Sequence, residues 1–190
     1  MVRISEAITQ DHQKLEYYYD TIVNSEDEDE QTRFQNQFTW ELARHAVAEE
    51  LVVYPAIEKV VPEGNVITNK HLREHSTIKE MLDVFQDLSC SDPRFLPTIT
   101  LLMDGLNRHM RDETVDLVNL ESCLTLEESG ELAESLNRTK IFVPSRAHPD
   151  SPDKPPCETA ADLITTPLDH LQDMFKKWPK NEVKWDSSNE

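Results

Sequence analysis

Four stretches in the first 120 or so residues repeat their apolar positions at the spacing of an α-helix. In the first, Ile8, His12, Leu15, Tyr19 and Ile22 recur three or four residues apart. The second runs Phe34, Phe38, Leu42, His45, Glu49, Val52 and Ala56, and the third His71, His75, Ile78, Leu82 and Phe85. The fourth holds Phe95, Ile99, Leu102, Leu106, His109, Glu113, Leu117 and Leu120. Each set lies along one helical face, and the mean step of about 3.5 is that of a bundle seam.

The breaks are short. Mutual repulsion in the acidic run SEDEDE, Ser25 to Glu30, suits a solvated loop. Pro62 and Gly64 end the second helix, and Asp92-Pro93 supplies a cap and a first-turn proline for the fourth. Such short connections force neighbours to run antiparallel, which predicts an all-α, up-down-up-down four-helix bundle. Thr125 and Glu128 form a capping box for a short fifth helix, to about Arg138, so the bundle domain is placed at residues 1–140. Residues 141–190 read as an extension, because 7 of the 11 prolines lie in the last 47 residues. RAHPDSPDKPP predicts an extended strap, and Pro167 to Trp178 a short amphipathic helix. That helix is expected to dock on the bundle through Leu168, Leu171, Met174 and Phe175.

Composition refines the picture. The chain has 3 glycines, too few for a turn-rich sheet protein. Its net charge of −18, from 37 acidic and 19 basic residues, repels phosphate backbones and anionic lipid, so neither nucleic acid nor membrane is an expected partner. The N-terminus has no apolar signal region, and no stretch approaches the roughly 18 apolar residues of a span. Cys90, Cys123 and Cys157 form no CxxC pair, which suits a reducing compartment. A cytoplasmic, monomeric chain is the expectation.

The seams, however, carry five histidines and two glutamates where leucine or isoleucine belongs. A buried polar group without a partner costs roughly 2–7 kcal/mol, and a lone core histidine usually finds a carbonyl. Five from four helices need something shared. His45 and Glu49, His71 and His75, and His109 and Glu113 are each four residues apart, one turn along a single face. With His12 they make a seven-residue site, whereas one tetrahedral zinc takes four ligands. Nitrogen and carboxylate oxygen without sulfur suit a pair of iron or manganese ions. Five histidines, two bridging carboxylates and one bridging oxygen leave one position open on two six-coordinate metals.

His12, His45-x3-Glu49, His71-x3-His75 and His109-x3-Glu113, in that order, resemble the ligand set of the hemerythrin-like superfamily, the HHE cation-binding domains. The words HAVAEELVVYPAI and REHSTIKEML are similar to that family as well, and the resemblance covers Ser5 to about Leu120. The strap and short helix resemble the C-terminal extension of fungal members. The resemblance implies two iron ions bridged by carboxylates and an oxo or hydroxo group, with manganese as the alternative metal. His71, His75 and His109 would fill one iron and His12 and His45 the other, with Glu49 and Glu113 bridging. The open position then falls beside His12 and His45. Hemerythrins proper have aspartate one residue beyond Glu113, and many HHE domains keep only the second histidine of the His71/His75 pair.

Other polar residues read differently. Glu16, Glu50 and Asp112 are expected on the surface or just outside the ligands, and Tyr17 to Tyr19 as packing residues. His148 and His170 are expected to be exposed. No nucleophile elbow, P-loop or dinucleotide fingerprint occurs. The expected function is a non-haem diiron protein that binds iron and dioxygen, for binding, storage or sensing. The alternative is a diiron enzyme activating oxygen or peroxide, with catalase-like, peroxidase or oxidase chemistry. A third reading is an interaction module whose metals only brace the bundle.

Overall fold

Helix α1 (Ile4–Asn24) is followed, after a three-residue connection, by α2 (Glu28–Ala48). Gln31 Nε2 donates to the Ile22 and Ser25 carbonyls (3.1 and 2.9 Å) at one end of the pair, and His12 meets His45 farther along. The two helices are therefore antiparallel. A π-helical turn (Glu49–Val53) carries α2 into α3 (Tyr54–Val60); α4 (Gly64–Gln86), α5 (Phe95–Ser122) and α6 (Leu126–Thr139) follow. Helix α4 returns along α2, with Gln35 Nε2 donating to the Phe85 and Leu88 carbonyls (both 2.8 Å) and Glu50 meeting His75. Helix α5 pairs with α4 through Phe85–Phe95 and His75–His109, and with α1 through Ser5–Glu121 and His12–Glu113. The ring closes as the predicted all-α, up-down-up-down bundle. This computed structural model describes residues 1–143, 145–146, 173–174 and 176–179.

Helix ends depart from the sequence reading where local electrostatics decide. The acidic run is only half loop: Asp27 accepts from the Asp29 N–H (2.9 Å), and Glu28, Asp29 and Glu30 form the first turn of α2. Negative charge there is favoured by the helix dipole, which outweighs the mutual repulsion. Asp92 does accept from the Arg94 N–H (2.8 Å), but α5 begins at Phe95, so Pro93 lies in the preceding turn. Thr125 and Glu128 make the expected capping box. At the α3–α4 corner Glu63 is left-handed (φ 57°), and a Cβ on Gly64 would lie 2.4 Å from the Ile57 carbonyl oxygen. Only glycine allows that approach.

The seams are buried nearly as read. Tyr18, not Tyr19, is the buried tyrosine of α1. Beyond Glu49 the buried positions are Val53 and Ile57 rather than Val52 and Ala56, because the π turn inserts one residue into the repeat. The apolar side chains form two clusters. One includes Leu15, Phe38, Leu82, Phe85 and Leu102; the other includes Ile4, Ile8, Ile57, Leu120 and Leu136. Helix α6 covers the second, with Ser129 Oγ accepting from the Ile4 N–H (3.0 Å).

The C-terminal residues that are described touch α2. Arg33 donates to the Trp178 carbonyl (2.7 Å), Asn36 donates to that of Lys177 (3.0 Å), and Trp178 packs edge-on to Trp40. Met174, expected on the docking side, is exposed; the larger Trp178 ring makes the contact instead. The proline strap with His148, and Leu168, His170, Leu171 and Phe175, lie outside the described residues. No helix among the described residues is long and apolar enough to cross a membrane.

Candidate metal centre

Between the two apolar clusters lies a polar belt, one turn deep, to which α1, α2, the π turn, α4 and α5 all contribute. His12, His45, Glu49, His71, His75, His109 and Glu113 are all buried. His45 Nε2 is 3.1 Å from Glu49 Oε1, and His12 Nε2 is 3.3 Å from Glu113 Oε2. On the other side His75 Nε2 is 3.5 Å from Glu49 Oε2 and 3.1 Å from His109 Nε2. Two groups result, His12–His45–Glu49–Glu113 and Glu49–His75–His109, each with ligand atoms within 4.8 Å of one another. Glu49 belongs to both. Six of the seven residues expected from the sequence are thereby brought together.

His71 stands apart. Its Nε2 is 2.9 Å from Asp116 Oδ2 and its Nδ1 is 3.4 Å from Glu74 Oε2, and it groups with Glu74 and His109. Its ring also stacks on Tyr54, with centroids 5.6 Å apart.

Carboxylates reach the histidines from behind. Asp11 lies 3.5 Å from His45 Nδ1, Glu50 2.8 Å from His75 Nδ1, and Glu74 3.0 Å from His109 Nδ1. Each carboxylate is met in turn by lysine: Asp11 by Lys14 (2.8 Å) and Lys140, Glu50 by Lys79 (2.7 Å), Glu74 by Lys70 (3.8 Å). An acceptor at Nδ1 fixes the tautomer and aims the Nε2 lone pair at the belt. The sequence reading put Glu50 near the ligands but missed Asp11 and Glu74. A signal existed: each adjoins a seam residue on its own helix and serves a histidine on the next. Tyr54 was missed too; its hydroxyl is 2.9 Å from His75 Nε2, whereas Tyr17 is exposed. Glu16 and Asp112 are exposed, as expected.

Burial, the largest influence, pushes the His45 and His75 imidazoles down and brings His109 to about 4, so these histidines are neutral and their lone pairs available. Glu49 is pushed well up by burial and by the charge of Glu113. Burial opposes ionisation of Glu113 too, but the facing His12 imidazole, with those of His109 and His45, outweighs it and holds that carboxyl down. Glu50 is likewise held at about 2 by His75 and Lys79 against its own burial.

The fit to a cation is decided by atoms with nothing to bond. Both oxygens of Glu49 and of Glu113, both nitrogens of His45, His12 Nε2 and His71 Nδ1 are buried without a hydrogen-bond partner among the described residues. Buried polar atoms are almost always paired. Here His45 Nδ1 faces Asp11 and His71 Nδ1 faces Glu74, while His12 Nε2, His45 Nε2 and the oxygens of Glu49 and Glu113 are unpaired lone-pair donors facing one another. A cation held among them would satisfy them.

A four-helix bundle with a buried histidine–carboxylate belt is the architecture of a helical cation-binding domain. Residues 3–120 match the profile of the hemerythrin HHE cation binding domain, and the chain belongs to that family. It is 48% identical over 181 residues to a hemerythrin-like protein of Schizosaccharomyces pombe, covering 94% of this chain and 89% of that protein. It is 27% identical over 146 residues to a DNA nickase of Nostoc sp., covering 76% of this chain but 41% of the nickase. No solved structure matches the chain.

Proposed function

We propose that the chain binds two iron ions in the belt and, through them, dioxygen. The observation that supports this reading best is the position of Glu49, shared by two ligand groups and with both its oxygens buried without a hydrogen-bond partner among the described residues. His12, His45 and Glu113 would hold one ion, His75 and His109 the other, with Glu49 between them. The family resemblance adds His71 to the second ion, at the expense of its contact with Asp116. A reduced iron pair supplies electrons for binding dioxygen at an open coordination position. The chain's own groups do the rest. Asp11, Glu50 and Glu74 orient the imidazoles, and the apolar clusters on either side keep water from the belt. The unpaired thiols of Cys90 and Cys123 support a reducing, cytoplasmic setting. Net charge −18 argues against extending the nickase relative's activity to this chain.

An enzyme acting on oxygen or peroxide is the second reading. It is favoured by the Tyr54 hydroxyl beside His75, which can donate within the belt.

The test is elemental analysis of the purified holoprotein, followed by anaerobic reduction and oxygen addition with absorbance and turnover recorded together. About two irons per chain and a reversible spectral change are expected. One iron per chain, or tightly held zinc without iron, overturns the diiron reading. Sustained turnover of oxygen or peroxide selects the enzyme.

A further inference from the structure

A pocket of about 460 Å³ opens between α4 and α5 on the outer side of the belt. Its size is that of a small-molecule site. Ile78, Met81 and Gly105 form an apolar end, and Glu74 and His109 the floor. The hollow owes its depth to Gly105. Glycine is the poorest helix former after proline, and this chain has 3, yet one stands well inside α5. A Cβ there would meet the Met81 terminal methyl at 3.2 Å. No turn or positive φ requires glycine at that position.

The charge at the mouth decides what enters. The floor and rim acids are engaged: Glu74 with His109 (3.0 Å) and Lys70 (3.8 Å), Asp112 with Lys70. Arg73 and Arg108 also line the pocket and have no carboxylate partner among the described residues; Arg108 Nε donates only to the Asp104 carbonyl (3.3 Å). On a chain of net charge −18, the unneutralised charge at this opening is positive. Guanidinium is the side chain that best pairs with carboxylate.

We infer that this pocket binds a small amphipathic carboxylate, its head between Arg73 and Arg108 and its alkyl end over Gly105. The site requires no metal. It borders the belt through Glu74 and His109.

Hexanoate is the probe, titrated into the full chain, both as purified and after chelation, with amide NMR shifts as readout. Saturable shifts confined to the facing parts of α4 and α5 are expected in both forms. Hexanamide and hexylammonium should bind at least tenfold more weakly. The exposed double substitution Arg73→Ala/Arg108→Ala, and separately Gly105→Leu, should each weaken hexanoate at least tenfold. The site is overturned by no saturable shift at millimolar hexanoate, by equal binding of hexanamide or hexylammonium, or by parental affinity in the arginine variant. Parental affinity in a folded Gly105→Leu protein overturns it equally. If that variant does not fold, the arginine variant decides. Because the readout is independent of metal, failure of the diiron reading and failure of this one remain distinguishable.

Discussion

Glu50 is gripped from both ends, by His75 at 2.8 Å and by Lys79 at 2.7 Å, and that grip makes it testable. Removing the carboxylate partner of a ligating histidine typically weakens metal binding about 10- to 100-fold. Glu50→Ala is therefore expected to lose metal to a competing chelator about that much more readily. Glu50→Gln keeps an acceptor oxygen and should lose less. Asp112→Ala, at an exposed position, should retain metal like the parent; equal retention in all three proteins would remove the role given to Glu50. The seven seam residues were legible because a histidine or glutamate in a leucine position contradicts its surroundings. Their supporting carboxylates were not, because Glu50 and His75 are 25 residues apart, and Glu74 and His109 are 35. Only the packed bundle makes them neighbours.

Helices show the same division. Four apolar repeats specified the bundle, but not the π turn after Ala48. Tyr54 bonds through its N–H to the Glu49 carbonyl five residues back, and Pro55 has no N–H with which to resume the ordinary ladder. The widened turn buries Glu49 and Glu50 together, and only Glu49 stood in the seam as read. Pro55 was the available signal, read as an ordinary part of the second segment. Helix α5 supplies a prediction. Gly105 has ordinary negative φ and would crowd only the flexible end of Met81. Gly105→Ala should therefore stabilise the fold by up to about 1 kcal/mol, read as a higher denaturation midpoint. A lower midpoint would show that Met81 cannot give way.

Across the whole molecule, the belt divides the apolar interior in two, so the bundle's middle depends on what fills it. Chelation should lower the melting temperature and cost several kcal/mol, since the buried donors lose their shared partner. An unchanged melting temperature would mean that the belt is stable without cations. The chelated chain should also be acid-sensitive. His45, His75 and His109 titrate below their unfolded value of about 6.5, with His109 at about 4. The unfolded chain therefore takes up protons first as pH falls, and their contribution to stability, full above about 6.5, declines towards pH 4. Glu49 and Glu41, shifted upwards, oppose this, but as two groups against three. Melting temperature measured from about pH 7.5 to 4.5 should fall; a flat or rising profile refutes the assignment.

Lys140, beyond the last residue of the family match, carries the ammonium group that reaches Asp11 behind His45. Ala133 and Leu136 of α6 cover the cluster around Ile4 and Ile57. The inherited module, residues 3–120, is thus smaller than the piece that must be transplanted to keep its interior intact. A graft ending at Leu120 would uncover one half of the core and leave Asp11 short of a counter-charge. One ending after Ser145, itself buried, would carry both along.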